Sequence, residues 1–176
     1  MEIALIKRAK KGDAGAYERL FAQYEADLYR MAYVYMKNRE DAMDVVQETA
    51  YRSFKYVHTL KEPAYFKTWL IRILINSAHD VLKKRPEEVV VEPHLFVVEM
   101  DEHIDVKITL EAVMHYLTKE EKDVILLKYY EDYTFEQIAD VLQLKLGTAK
   151  TILYRALKKL KLALQQEEGY DEQFKR

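Results

Sequence analysis

The stretch Gly147–Lys161 reads GTAKTILYRALKKLK. It carries Lys150, Arg155, Lys158, Lys159 and Lys161 and no acid, in a chain whose formal net charge is −2. Helical periodicity sorts it cleanly. Ala149, Leu153, Ala156 and Leu160 gather on one side, and Thr148, Thr151, Arg155, Lys158 and Lys159 on the other, flanked by Lys150 and Tyr154. The apolar side is suited to packing, and the opposite side offers donors to phosphates and base edges in a major groove. Thr148 and Thr151 lie near the helix start, where free backbone N–H groups also favour phosphate. A lone basic helix is more often a solvated surface than a reader of DNA.

The residues just upstream change that balance. Thr134-Phe135-Glu136-Gln137 has the form of a capping box, and Ile138, Ala139, Val141 and Leu142 make a short apolar helix after it. A break at Gln143–Leu146 then leads into the basic helix, giving a helix-turn-helix. A second capping box, Thr118-Lys119-Glu120-Glu121, stands before it, and Val124, Ile125, Leu127, Lys128 and Tyr129 lie between the two. Together these features favour the DNA reading.

Charge is unevenly spread over the 176 residues. Residues 1–86 total +5, residues 87–106 total −7, and residues 107–176 balance to zero. Such asymmetry points to partners better than the sum does. Cysteine is absent, which removes disulfides, thiolate zinc sites and a cysteine nucleophile, and accords with a reducing cytoplasm. No signal peptide or membrane span is expected, so direct membrane insertion is not. Four Gly and three Pro argue against a β-rich fold.

Working towards the start of the chain, Tyr17, Leu20, Phe21, Tyr24, Leu28, Met31, Ala32 and Tyr35 form one stripe, predicting a single long amphipathic helix capped by Asp13. Asn38 caps the next, whose buried side is Ala42, Val45, Val46, Ala50 and Val57. A third follows Pro63, with Phe66, Trp69, Leu70, Ile73, Leu74, Ala78 and Val81 inward and Thr68, Arg72, Asn76, His79 and Lys83 as an outward row. It should end near Arg85-Pro86. Residues 87–105 read as an acidic linker, although its valines suit a short strand or docking segment as well. The second helical unit restarts near Val106. The expected fold is all-α: two small helical domains, 1–86 and 106–166, joined by the flexible acidic segment, with a tail at 167–176.

Three stretches carry a specific resemblance. TFEQIADVLQLKLGTAKTILYRALKKL is similar to the final helix-turn-helix of bacterial RNA polymerase sigma factors of the extracytoplasmic-function (ECF) group. NREDAMDVVQETAYRSFKYV resembles the group's polymerase-binding helix, with its DAxDxxQE core, and FKTWLIRILINSAHDVLKKRP resembles its promoter-melting helix. The resemblance implies sigma domains two and four, opening the −10 element and reading the −35 element. It also implies a role in transcription initiation rather than catalysis. It implies polymerase contacts at Asp41, Asp44, Val45, Gln47 and Glu48. For −10 DNA it implies His58, Leu60, Lys61, Thr68, Trp69, Arg72, Asn76, His79 and Lys83. For −35 DNA it implies Thr148, Lys150, Thr151, Tyr154, Arg155, Lys158 and Lys159. Trp69, on the apolar stripe, reads better as a core anchor than as a stacking platform.

Core polymerase, promoter DNA and an anti-sigma factor, often membrane-anchored, are the implied partners. The chain departs from the family at Ala149 (usually Val), Thr151 (usually Ser) and Ile152 (usually Arg), the last removing a cation near DNA. Two other readings stand beside this one: a stand-alone helix-turn-helix regulator, and a hydrolase with a divalent ion on Asp41, Asp44 and Glu48. The scattered His79, His94, His103 and His115 support no metal site, and no cofactor is expected. The linker's 19 residues, at about 3.3 Å each, reach about 60 Å, enough to hold one domain on each promoter element. Its acidity suits a nucleic-acid mimic within the polymerase.

Overall fold

A computed structural model describes residues 2–84 and 117–174. Every regular element among them is helical, and the chain divides into two compact units, Met1–Val91 and Glu92–Arg176. The expected linker with its valines, and the expected restart near Val106, lie outside the described residues.

The first unit contains α1 (Glu2–Ala9), α2 (Ala14–Phe21), α3 (Glu25–Met36), α4 (Arg39–Tyr56) and α5 (Phe66–Lys84). The α1–α2 turn passes through Gly12 at φ 89°, a left-handed conformation that glycine adopts without steric cost. Asp13 then caps α2: its Oδ1 accepts from Ala16 N–H at 2.9 Å, and its Oδ2 from Arg8 Nε at 2.8 Å. These bonds hold the Asp13 carboxyl below its ordinary pKa, the cap first and Arg8 second. Asn38 Oδ1 caps α4 through Asp41 N–H at 2.9 Å.

The stripe from Tyr17 to Tyr35 is two helices rather than one. At residues 22–24 the backbone tightens into three-residue bonds, Gln23 N–H to Leu20 O and Tyr24 N–H to Phe21 O. The turn leaves Tyr24 with its hydroxyl 2.5 Å from Glu2 Oε1 and its ring 5.6 Å from Phe66. Hydrophobic spacing survives a short turn, so the pattern alone did not reveal it. The core packs α3 on α4 and α4 on α5 around Leu20, Met31, Val45, Phe66, Leu70 and Leu74. Each buried Leu contributes about 1.5–3 kcal/mol relative to exposure. On α5 the inward residues include Ile71 and Ile75, whereas Ile73, Val81 and Trp69 are only half-buried. Inside, Tyr17 and Ser53 share a hydroxyl–hydroxyl bond across α2 and α4, and burial pushes the Tyr17 phenol up to about 12.

The second unit contains α6 (Lys119–Ile125), a wide π turn at Leu126–Tyr130, α7 (Phe135–Leu142) and α8 (Leu146–Phe174). Both capping boxes form: Thr118 with Glu121, and Thr134 with Gln137. α7 closes on Gln143 at φ 55°, with Leu144 N–H returning to Ala139 O at 2.8 Å. Three residues therefore separate α7 from α8, and the helix-turn-helix is present. Ala149, Leu153, Ala156 and Leu160 are buried on α8, as their spacing predicts, together with Val124, Leu127 and Ile138 from the preceding helices. The segment expected as a tail after residue 166 continues the α8 backbone to Phe174.

Candidate nucleic-acid and polymerase interfaces

On α4, Asp44 and Gln47 are exposed. Asp41 is half-buried and its Oδ2 accepts from Asn38 Nδ2 at 2.6 Å. Glu48 Oε1 accepts from Arg52 Nε at 2.5 Å. Val45 is fully buried, so it supports this face from beneath and cannot touch a partner; its place on the inner stripe outweighs its place in the motif. Asp41 and Glu48 are thus engaged separately, and no group of acids and histidines able to hold a metal occurs among the described residues. Beside Gln47 runs a groove of about 570 Å³ between α2 and α4, lined by Tyr17, Phe21, Val46, Ala50, Tyr51 and Phe54. Tyr51 and Phe54 are exposed aromatics that the motif did not single out. Their positions, four and seven residues beyond Gln47, were the available signal.

The second face surrounds the loop between α4 and α5. Two short 3-10 turns, Val57–Thr59 and Pro63–Tyr65, shape it. His58 and Lys61 are exposed, but the Leu60 side chain is buried and its carbonyl accepts from the Lys10 ammonium. Leu60 is therefore the loop's anchor and not a DNA contact. On α5, Asn76 and Lys83 are exposed and Thr68 and Arg72 half-buried. His79 is buried, with its ring edge-on to Tyr35 at 5.8 Å, and does not belong to the outward row. One hundred degrees per residue drifts an i, i+4 row around the helix, and α3 covers the side on which His79 falls. The Trp69 ring lies tilted against Phe66, centroids 5.9 Å apart, and the residue is half-buried. Tyr56 and Tyr65 are exposed near the loop, and Lys55 lies over the Tyr51 and Tyr56 rings.

The third face is on α8. Thr148, Lys150, Thr151, Tyr154, Arg155 and Lys158 are exposed, and Lys159 is half-buried. Thr151 Oγ1 donates to Gly147 O at 2.9 Å, and Lys150 lies 5.5 Å from the Phe135 ring centre. Ile152 is buried, so the residue that replaces a cation serves packing here. The stretch Gly147–Lys161 has no acid of its own, but the folded face does. Glu121, from α6, is fully buried and accepts from Arg155 Nε at 2.7 Å and from Lys159 Nζ at 2.8 Å. Burial pushes its carboxyl up, but Lys159, the Thr118 N–H and Arg155 together outweigh this and hold it at about 2. This residue is 34 positions from Arg155, too far for any local pattern to reveal.

Two family profiles match the chain: Sigma-70 region 2 over residues 20–87, and Sigma-70, region 4 over residues 107–160. RNA polymerase sigma factor SigV of Bacillus subtilis is 33% identical, with 82% of this chain and 89% of that protein covered. ECF RNA polymerase sigma-E factor of Haemophilus influenzae is 28% identical, with 87% and 89% covered. Among solved structures, CnrH in complex with the cytosolic domain of CnrY shares the fold at TM-score 0.71 and 22% identity, covering 94% of this chain and 97% of that one. The sigma factor RpoE of Bartonella quintana, in complex with the anti-sigma factor NepR, does so at 0.66 and 19%, covering 85% and 96%. The two helical units, the faces on α4, α5 and α8, and these matches over both units place the chain in the ECF group of RNA polymerase sigma factors.

Proposed function

We propose that this chain is an alternative sigma subunit that binds core RNA polymerase through α4, opens the −10 element with the α4–α5 loop and α5, and reads the −35 element with α8. The observation that carries this reading is the helix-turn-helix whose exposed basic helix follows, in one chain, a helical unit presenting Asp44 and Gln47 beside an aromatic-edged groove. In domain terms the working units are residues 1–86 and 106–166, with 87–105 as the tether. The acids of the tether act as a nucleic-acid mimic on polymerase. The chain works in the cytoplasm as an initiation factor, held in check by an anti-sigma factor; the solved RpoE relative is itself a complex with one. No described helix is long and apolar enough to cross a membrane.

The test is transcription in vitro with purified bacterial core polymerase on a genomic promoter library. Transcripts that depend on the chain and share −10 and −35 sequences are expected. A chain that fails to bind core yet grips duplex DNA tightly by itself would instead be a stand-alone regulator.

A further inference from the structure

Glu121 is a fully buried carboxylate whose two oxygens take one cation each from successive turns of α8. Its Oε2 also accepts from the Thr118 N–H at 2.9 Å, which pins it to the start of α6. The pair of jaws therefore locks the rotation of α8 about its axis relative to α6. It also orients Arg155. The Nε–H is committed to Glu121, while the side chain remains 54% exposed, so the Nη end of the guanidinium is left to solvent. A guanidinium held by Nε can reach a base only end-on, through its two Nη groups. That presents paired donors suited to the O6 and N7 acceptors of a guanine edge. Holding the plane in advance lowers the entropy lost on contact.

We propose that Glu121 is a positioning residue for DNA readout: it sets the Arg155 fork for a guanine in the upstream promoter element and offsets one unit of positive charge on α8. This rests on the sigma-factor reading above. The consequence runs against simple charge counting. Removing Glu121 makes the face more cationic, so attachment to arbitrary DNA strengthens while discrimination is lost.

Glu121→Gln is the informative change because Gln serves at the same place in the second capping box, where Gln137 Oε1 accepts from Thr134 N–H at 2.8 Å. The experiment uses holoenzyme formed with core polymerase. Two quantities are read: enrichment from a duplex pool randomised in the upstream element, and the salt slope on a mixed-sequence duplex. Glu121→Gln is expected to lower enrichment about tenfold. It should steepen the slope by about 0.9, one cation's worth. The double variant with Arg155→Lys should select no worse than Arg155→Lys alone, because both act through one contact. Unchanged enrichment and slope in a folded Glu121→Gln holoenzyme, or additive losses in the double variant, overturn the proposal. If Glu121→Gln does not fold, Lys159→Gln replaces it, removing one jaw with α6 untouched; unaltered enrichment there overturns the proposal equally. Failure of the unsubstituted chain to form holoenzyme is a different outcome, and it removes the sigma-factor reading itself.

Discussion

Arg52 Nη1 donates to Asp80 Oδ2 at 2.8 Å, joining the helix that carries Asp44 and Gln47 to the helix that carries Arg72 and Asn76. The same guanidinium holds Glu48, so one side chain braces α4 against α5. The bond to Arg52 holds the Asp80 carboxyl below its ordinary value, against a smaller upward push from burial. Asp80→Asn should cost about 0.5–1 kcal/mol, because both side chains are partly exposed and water screens the pair. A fall of a few degrees in the melting temperature would register it. Because the folded pKa is depressed, the contribution is present above the ordinary carboxylate pKa and is lost as pH falls below it.

Glu121 makes the second unit acid-sensitive. Its folded pKa of about 2 lies below the ordinary 4.5, so its stabilisation is complete above about 4.5 and is lost as pH falls towards 2. Hydrogen exchange in α6 and α8 should accelerate between neutral pH and about pH 3, after correction for intrinsic rates, by more in the native chain than in Glu121→Gln. Equal acceleration in the two would count against this account.

Leu60 and His58 lie in the same loop, one buried and the other exposed. Leu60→Ala should cost about 2–4 kcal/mol, since the side chain is buried beneath the loop. His58→Ala, at an exposed position two residues away, should change stability by less than about 0.5 kcal/mol. Denaturant unfolding of both variants decides the matter. Any loss of promoter opening in Leu60→Ala then reflects a misplaced loop.

On α4, Gln47→Ala and Asp44→Lys should weaken binding to core polymerase by about tenfold or more, as loss of a central polar contact does at protein interfaces. Both side chains are exposed, so helix content should be unchanged. Pull-down against core together with circular dichroism reads both halves of the prediction.

Gln143 closes α7 in the left-handed region at φ 55°, where a Cβ is unfavourable. Gln143→Gly should stabilise the second unit by about 0.5–1 kcal/mol, the relief of strain exceeding glycine's greater entropy loss. Thermal unfolding monitored within this unit checks the sign.

Much of this architecture was legible from local chemistry. The caps at Asp13, Asn38, Thr118 and Thr134 and the buried row Ala149, Leu153, Ala156, Leu160 depend on residues within a few positions of one another, so spacing and hydrogen-bonding capacity determine them. The helix-turn-helix and its basic outer face follow from the same short-range rules. What required the tertiary structure were relations over long separations. His79 lies inward because α3 brings Tyr35 to it, and Leu60 is an anchor because Lys10 reaches its carbonyl. The acid-free stretch Gly147–Lys161 meets a buried acid because α6 folds against it. Periodicity reports which side of a helix is apolar; only the packing of one helix on another decides which polar groups are covered, paired or left open to a partner.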